Sequence, residues 1–167
     1  MHKKIVFISN KFPPEIDGVA DYTFLLGKEL EKENEVFYIN KNSLCASNWN
    51  MNAFIKVFRQ IRSIHPQLVS LQYVPFGFQQ KGLPFKLVFF WFILKIYGYR
   101  LQITFHEIAI AYNSKSVRQS IGAFLQKIIA LLLCKISNNV FTGTPLYFRM
   151  LNKYTKNVEL VYIGSNI

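Results

Sequence analysis

The residues best suited to chemistry in this sequence follow short apolar runs. His106 and Glu107 come directly after one run, and Asp17 and Gly18 close a proline-containing segment after another. A neutral imidazole can donate a hydrogen bond to a sugar hydroxyl or a phosphate, and its charge can change near pH 7. Glu107 could accept a hydrogen bond from a hydroxyl group or cap the segment after it. Gly18 gives a ligand close access to the backbone, and Asp17 can cap the N–H groups of a following helix. These residues predict a site for a hydroxylated or phosphorylated ligand.

Further polar residues stand at the ends of two other apolar runs. Gln72 and Tyr73 close one of them, and an amide and a phenol suit the recognition of a polyol. The alternative for Tyr73 is a buried side chain with a hydrogen-bonded hydroxyl group. Thr144 belongs to a small polar turn, where backbone N–H groups at a helix N-terminus could bind an anion.

The sequence lacks the common signatures of nucleotide, nucleophile and metal chemistry. It contains no GxGxxG or GxxxxGK[ST] loop and no GxSxG segment. Three widely spaced histidines and two isolated cysteines form no recognisable metal site, so we predict neither a metal nor another cofactor. Cys45 and Cys134 suggest no disulfide framework, and no signal-peptide pattern is evident, which favours a cytoplasmic protein.

Six short apolar runs alternate with helical patterns along the chain. We predict strands at 5–8, 35–40, 67–72, 100–105, 139–142 and 158–163. The first predicted helix has an apolar face of Val19, Tyr22, Leu25, Leu26 and Leu30. Later helices are predicted at 54–64, where His65 and Pro66 end the helix, at 82–98, at 116–136 and from Pro145, with a long loop at 73–82. The alternation predicts an α/β domain, a Rossmann-like open parallel sheet of about six strands with helices on both faces. Ligands of such sheets bind at the carboxyl ends of the strands.

The positive charge of the chain is unevenly distributed. The net charge is +11, yet seven of the nine acidic residues lie within the first 35 positions. The rest of the chain therefore favours an anionic partner, either membrane phosphate or a phosphorylated substrate. Nucleic acid is not predicted, because the sequence has no zinc-finger spacing or RNA-binding signature and its basic residues are spread among apolar runs.

One predicted helix is apolar on every side. Eight successive apolar residues lie between Lys86 and Lys95. They would rise only about 12 Å, which is far short of the length that crosses a bilayer. Such a helix is either buried against the sheet or lies partly in the headgroup layer of a membrane. In the second case the residues that meet anionic lipid would be Lys81, Lys86, Lys95 and Arg100.

Four stretches of the sequence resemble one enzyme family. Residues 12–23 resemble a PPxxGGVxxY-type loop and helix start, and residues 65–73 resemble an HPDLVHxQ strand. Residues 103–107 resemble a VTxHE strand end, and residues 161–167 resemble a VIPxGSNIP segment. In this order they are similar to the N-terminal domain of GT-B glycosyltransferases, specifically the retaining family 4 (group 1) enzymes. One departure is Asp17, which stands where the family has the first glycine of a pair.

The resemblance implies transfer of a sugar from a nucleotide-diphosphate sugar to an acceptor hydroxyl, with retention and without a required metal. By position, His106 is the candidate catalytic residue and would contact the transferred sugar or the donor phosphates. Gly18 and its neighbours Asp17 and Val19 would face the donor phosphates and the acceptor. Further candidates for binding donor or acceptor are Glu107, Gln72, Tyr73 and Thr144.

The resemblance also implies a domain organisation. Residues 1–163 would form the acceptor-side domain, and residues 164–167 would begin the hinge to a donor-binding domain that this sequence does not include. We therefore expect this half to be inactive alone and to work with a C-terminal domain or a partner subunit. The expected acceptor is a glycan or a lipid-linked sugar of cell-envelope or polysaccharide synthesis, met in the cytoplasm or at the inner membrane face. Two alternatives are a non-catalytic glycan- or membrane-binding subunit of a separate catalytic partner, and a nucleotide-binding regulator.

Overall fold

Strands and helices alternate along the chain. The computed structural model describes residues 2–109 and 117–161. The strands are β1 Lys4–Ile8, β2 Glu35–Ile39, β3 Leu68–Tyr73, β4 Leu101–Phe105, β5 Asn139–Thr142 and β6 Val158–Leu160. The helices are α1 Gly18–Leu30, α2 Met51–Ile64, α3 Pro75–Phe78, α4 Phe85–Ile96, α5 Val117–Ile136 and α6 Pro145–Leu151.

All six strands belong to one parallel sheet with the order β2-β1-β3-β4-β5-β6. Ile5 and Phe7 of β1 pack in a cluster with α1, whereas Val6 and Ile8 belong to the larger cluster with α2, α4, α5 and α6. Because successive side chains of a strand point to opposite faces, helices cover both faces of the sheet. The predicted Rossmann-like open parallel sheet of six strands is confirmed.

Local sequence sets the ends of the first two long helices. Asp17 Oδ1 accepts hydrogen bonds, both 3.0 Å long, from the second and third N–H groups of α1. Asn50 caps α2 by accepting a 2.9 Å hydrogen bond from the Ala53 N–H. At the other end of α2, His65 adopts a left-handed conformation with φ of 53° ahead of Pro66. The predicted cap by Asp17 and the predicted helix end at His65 are confirmed.

The packing face of α1 differs from the predicted one. Its buried residues are the small Ala20, Thr23 and Gly27, whereas Leu25 is 53% exposed. The helix lies so close to β2 that a Cβ atom on Gly27 would be 2.7 Å from Tyr38 Cζ. Such a close approach requires small side chains at the contact. The prediction was wrong for Leu25, because it followed the large apolar residues.

Several predicted boundaries also change. The predicted loop at 73–82 contains α3, whose first position is Pro75, a place where a missing N–H group is tolerated. The predicted helix at 82–98 is shorter, since α4 covers Phe85–Ile96. Residues 162–163 of the sixth predicted strand, the hinge at 164–167 and the predicted helix start at 116 lie outside the described residues.

Among the described residues, one helix, α5, has the length and composition that could cross a membrane. However, α5 buries one side, including Ile129 and Leu133, in the main core. The neighbouring helix α4 is fastened to the end of α5 by Trp91, whose Nε1 donates a 2.8 Å hydrogen bond to Ser137 Oγ. In this structure α5 is therefore one layer of the domain.

Candidate functional site

Three of the predicted residues line one cavity at the edge of the sheet between β1 and β3. The chain leaves β1 for α1 on one face and leaves β3 for α4 on the other, so a crevice opens between the two strand ends. The cavity has a volume of about 180 Å³. It is lined by Ser9, Asn10, Lys11, Asp17, Val19, Gln72, Val74, Phe76 and Gly77. Asp17 and Val19 come from one predicted segment and Gln72 from another, and folding brings them together.

A row of hydrogen bonds across β3 and β4 holds His106 beside this cavity. His106 Nε2 lies 2.9 Å from Gln72 Oε1. Gln72 Nε2 donates to Ser70 Oγ at 3.1 Å, and Gln102 Nε2 donates to the same oxygen at 3.2 Å. The amide nitrogen of Gln72 is directed at Ser70, so its oxygen faces the imidazole and accepts a hydrogen bond from His106 Nε2 in the tautomer that carries the proton there. His106 Nδ1 then has a lone pair that can accept a hydrogen bond from a hydroxyl group.

His106 is neutral at physiological pH. Burial lowers the pKa of His106 from 6.5 to about 4, and the negative charge of Asp17 opposes part of this effect. Tyr22 packs edge-on against the imidazole, with ring centroids 5.4 Å apart, and keeps water from one side of it. Desolvation disfavours the charged imidazolium. The prediction that the charge of His106 changes near pH 7 was therefore wrong.

Asp17 uses its carboxylate in two directions. Oδ1 accepts from the N–H groups of Val19 and Ala20, and Oδ2 lies 3.9 Å from Lys11 Nζ. Two of the N–H groups that a phosphate would take at this helix end are therefore already engaged. Gly18 is open to solvent, since a Cβ atom there would meet nothing within 4 Å. The site suits ligand hydroxyl groups, which can donate to Asp17, better than it suits a second anion.

Tyr73 does not join this site. Its side chain points to the opposite face of β3 from Gln72 and is fully buried between Phe78 and Phe105. Its hydroxyl group is buried without a hydrogen-bond partner among the described residues. Tyr73 therefore offers no group to an acceptor in this structure. The alternative prediction was a buried side chain with a hydrogen-bonded hydroxyl; the side chain is buried, but its hydroxyl has no hydrogen bond among the described residues.

The other two candidates occupy different positions. Glu107 is exposed next to His106, and its N–H lies 3.5 Å from the carbonyl oxygen of Tyr73. Thr144 precedes α6 at the end of β5, two strands away from β3, and its N–H donates to Thr142 Oγ1 at 3.4 Å. Glu107 thus stays beside the site, whereas Thr144 lies farther along the same sheet edge.

A second and larger pocket, with a volume of about 480 Å³, was not predicted from the sequence. Its lining includes Trp49, the first residues of α4, and the amide side chains of Asn48, Asn50, Gln79 and Gln80. Trp49 Nε1 donates to Asn10 Oδ1 at 3.2 Å, so Asn10 stands between the two pockets. The rule that pointed to His106 would also have pointed to Ser9 and Asn10, which directly follow β1 and line the small cavity.

Within residues 2–109 and 117–161, no group of three or more His, Cys, Asp and Glu side chains could hold a metal ion. Of the two cysteines, Cys45 is exposed and Cys134 is buried. The candidate site is thus built from an imidazole, amides, a carboxylate and an amine.

No protein-family model matches this chain, and a search of curated proteins finds no match. The resemblance to glycosyltransferases therefore rests on the sequence stretches themselves. Three of them lie within the described residues, and the fourth, at 161–167, lies outside them except for Val161.

Proposed function

We propose that this protein is the acceptor-side, N-terminal half of a retaining GT-B glycosyltransferase that uses a nucleotide-diphosphate sugar. The supporting observation is that the three described stretches of the resemblance meet at one place. Asp17 precedes α1, Gln72 lies in β3 and His106 follows β4, and all three gather at the crevice between β1 and β3. A crevice of this kind is where open parallel sheets bind their ligands.

In this proposal the small cavity binds the acceptor. The lone pair of His106 Nδ1 and the outer oxygen of Asp17 accept hydrogen bonds from acceptor hydroxyls, and Lys11 donates one. A volume of about 180 Å³ equals that of roughly six waters at about 30 Å³ each, which suits one sugar unit rather than an extended chain. The neutral imidazole orients a hydroxyl without adding charge.

The donor is held mainly by a second Rossmann-like domain, on the same chain or on a partner. Asp17 already occupies two N–H groups of the first turn of α1, those of Val19 and Ala20, so this half contributes little to binding of the diphosphate. Gly18 leaves room for the donor sugar to pass close to the backbone. The acceptor is a glycan or a lipid-linked sugar of envelope or polysaccharide synthesis, glycosylated on the cytoplasmic side.

A titration followed by NMR tests the acceptor site. Methyl glycosides of common hexoses and N-acetylhexosamines should shift the His106 ring resonances and the Gln72 side-chain amide resonances. Asp17→Asn and Gln72→Leu should each weaken this binding by about tenfold, equivalent to one lost hydrogen bond. Glu159→Gln, at the far edge of the sheet, is the matched control and should bind normally. Binding that survives both site variants would refute the acceptor assignment.

A transfer assay tests the enzymatic part. With a donor-binding domain present, His106→Ala should lower kcat by about 100-fold, the usual loss for one preorganised hydrogen-bonding group. Sugar binding without any transfer would instead support the alternative of a non-catalytic glycan-binding subunit.

A further inference from the structure

Two neighbouring helices expose continuous apolar stripes. On α4, the exposed residues Phe85, Phe89, Phe92 and Ile96 are spaced by four, three and four residues. This spacing keeps side chains on one side of a helix. The buried residues of α4, which include Leu87 and Trp91, lie on the other side. One apolar side of α4 is therefore packed in the core of the domain. A second apolar side, on which Phe89 is 55% exposed, faces outward.

The adjacent helix α5 repeats this arrangement. Its exposed residues Val117, Ile121, Phe124 and Leu132 also lie on one side, opposite the buried Ala130 and Leu133. Phe124 is 63% exposed. Between α2 and α4, an apolar groove of about 250 Å³ extends the surface and contains Met51, Ile55 and Tyr97. We call the outward surface of α2, α4 and α5 the apolar face. Exposed patches of this extent mark sites of interaction with a membrane or a partner.

The charges around the apolar face have one sign. Helices α2, α4 and α5 carry eight exposed basic side chains and no acidic one: Lys56, Arg59, Arg62, Lys86, Lys95, Arg118, Lys127 and Lys135. Lys86 and Lys95 lie on either side of the α4 stripe, nine residues apart. The other two residues predicted to contact lipid, Lys81 and Arg100, are exposed in the connections before and after α4. The opposite face of the sheet carries α1, which includes Asp21 and Glu29.

We propose that the apolar face binds the surface of an anionic bilayer, with α4 and α5 lying along the membrane. Aromatic and aliphatic side chains in a basic surround are the pattern of helices that lie in the interface rather than cross it. Anionic headgroups complement the charge of the eight basic side chains. The exposed apolar side chains of α4 and α5, and those that line the groove, contact the acyl chains. The proposal does not depend on sugar transfer.

Sedimentation with vesicles tests this proposal. The protein should bind vesicles of equimolar phosphatidylcholine and phosphatidylglycerol at least tenfold more tightly than vesicles of phosphatidylcholine alone. Phe92→Ser with Phe124→Ser should weaken this binding by tenfold or more. Lys86→Glu with Lys127→Glu should remove the preference for anionic vesicles. Because all four side chains are exposed, the variants should keep the thermal unfolding midpoint of the parent.

Leu25→Ser is the matched control, since Leu25 is an equally exposed apolar residue on α1 at the opposite face. It should leave vesicle binding unchanged. The proposal is overturned if the parent protein binds neither vesicle, or if Leu25→Ser weakens binding as much as the double serine variant. It is also overturned if sedimentation velocity shows a dimer that Phe92→Ser with Phe124→Ser dissociates while vesicle binding is absent, because a second copy would then cover the face.

Discussion

The half-buried imidazole of His106 links the candidate site to the stability of the whole domain. Burial lowers the pKa of His106 to about 4 in the folded protein, against 6.5 when it is solvated. Between these two pH values the unfolded chain binds a proton that the folded chain does not. The neutral imidazole therefore contributes stability above about pH 6.5, and this contribution is lost as the pH falls toward 4.

The size of the effect follows from the two pKa values. Each pKa unit corresponds to about 1.4 kcal/mol, so the difference is equivalent to about 3 kcal/mol between pH 6.5 and pH 4. This is an upper limit, because the imidazole is only partly shielded from water. Urea unfolding at a series of pH values should show this loss, and a His106→Asn variant should show a smaller loss over the same interval.

An NMR titration measures the pKa directly. His2→Gln with His65→Asn leaves His106 as the only imidazole, and asparagine tolerates the left-handed backbone at position 65. The His106 ring protons should show no titration between pH 8 and pH 5.5. A midpoint at or above 6.5 would refute the hydrogen-bonded, desolvated environment deduced for this side chain.

Substitutions at three further positions test the packing and capping of the domain, each by urea unfolding. Gly27→Ala should destabilise the domain by about 1–3 kcal/mol, because the new methyl group would overlap the Tyr38 ring, whereas the control Gly18→Ala should be almost neutral. Asp17→Ala should cost about 1 kcal/mol through loss of the helix cap, and Asp17→Asn should cost much less because its amide oxygen can still cap α1. Tyr73→Phe should leave stability unchanged or raise it, since its buried hydroxyl has no partner among the described residues; a loss above about 1 kcal/mol would contradict this.

The sequence predicted the sheet because each strand is a short apolar run between turn residues. It also predicted the end of α2, where His65 precedes a proline, and the cap of α1, where Asp17 precedes a glycine. In each case the physical cause is local, within three or four residues. The placement of the site followed from topology, because strand ends of a parallel sheet share one edge.

Other features depend on contacts that are distant in sequence. The sequence pattern gave no sign that α1 packs through Gly27, since the space for that contact is defined by Tyr38 on β2. Gln72 and Tyr73 are adjacent and both polar, yet the register of β3 sends one to the cavity and the other into the core. The sequence also could not predict which side of α4 faces outward. Where every residue is apolar, periodicity carries no information about which side is buried.

The apolar face and the candidate site are joined by the large pocket. Phe85 begins the exposed stripe of α4 and also lines this pocket, together with Trp49. Trp49 donates its hydrogen bond to Asn10, which lines the small cavity with Asp17. The large pocket therefore adjoins the apolar stripe on one side and, through the Trp49–Asn10 contact, the small cavity on the other. If both proposals hold, an acceptor with a lipid tail would keep the tail at α4 and place its sugar beside His106. A free glycan would need only the small cavity. Loss of vesicle binding should therefore impair transfer to a lipid-linked acceptor much more than transfer to the same sugar in solution.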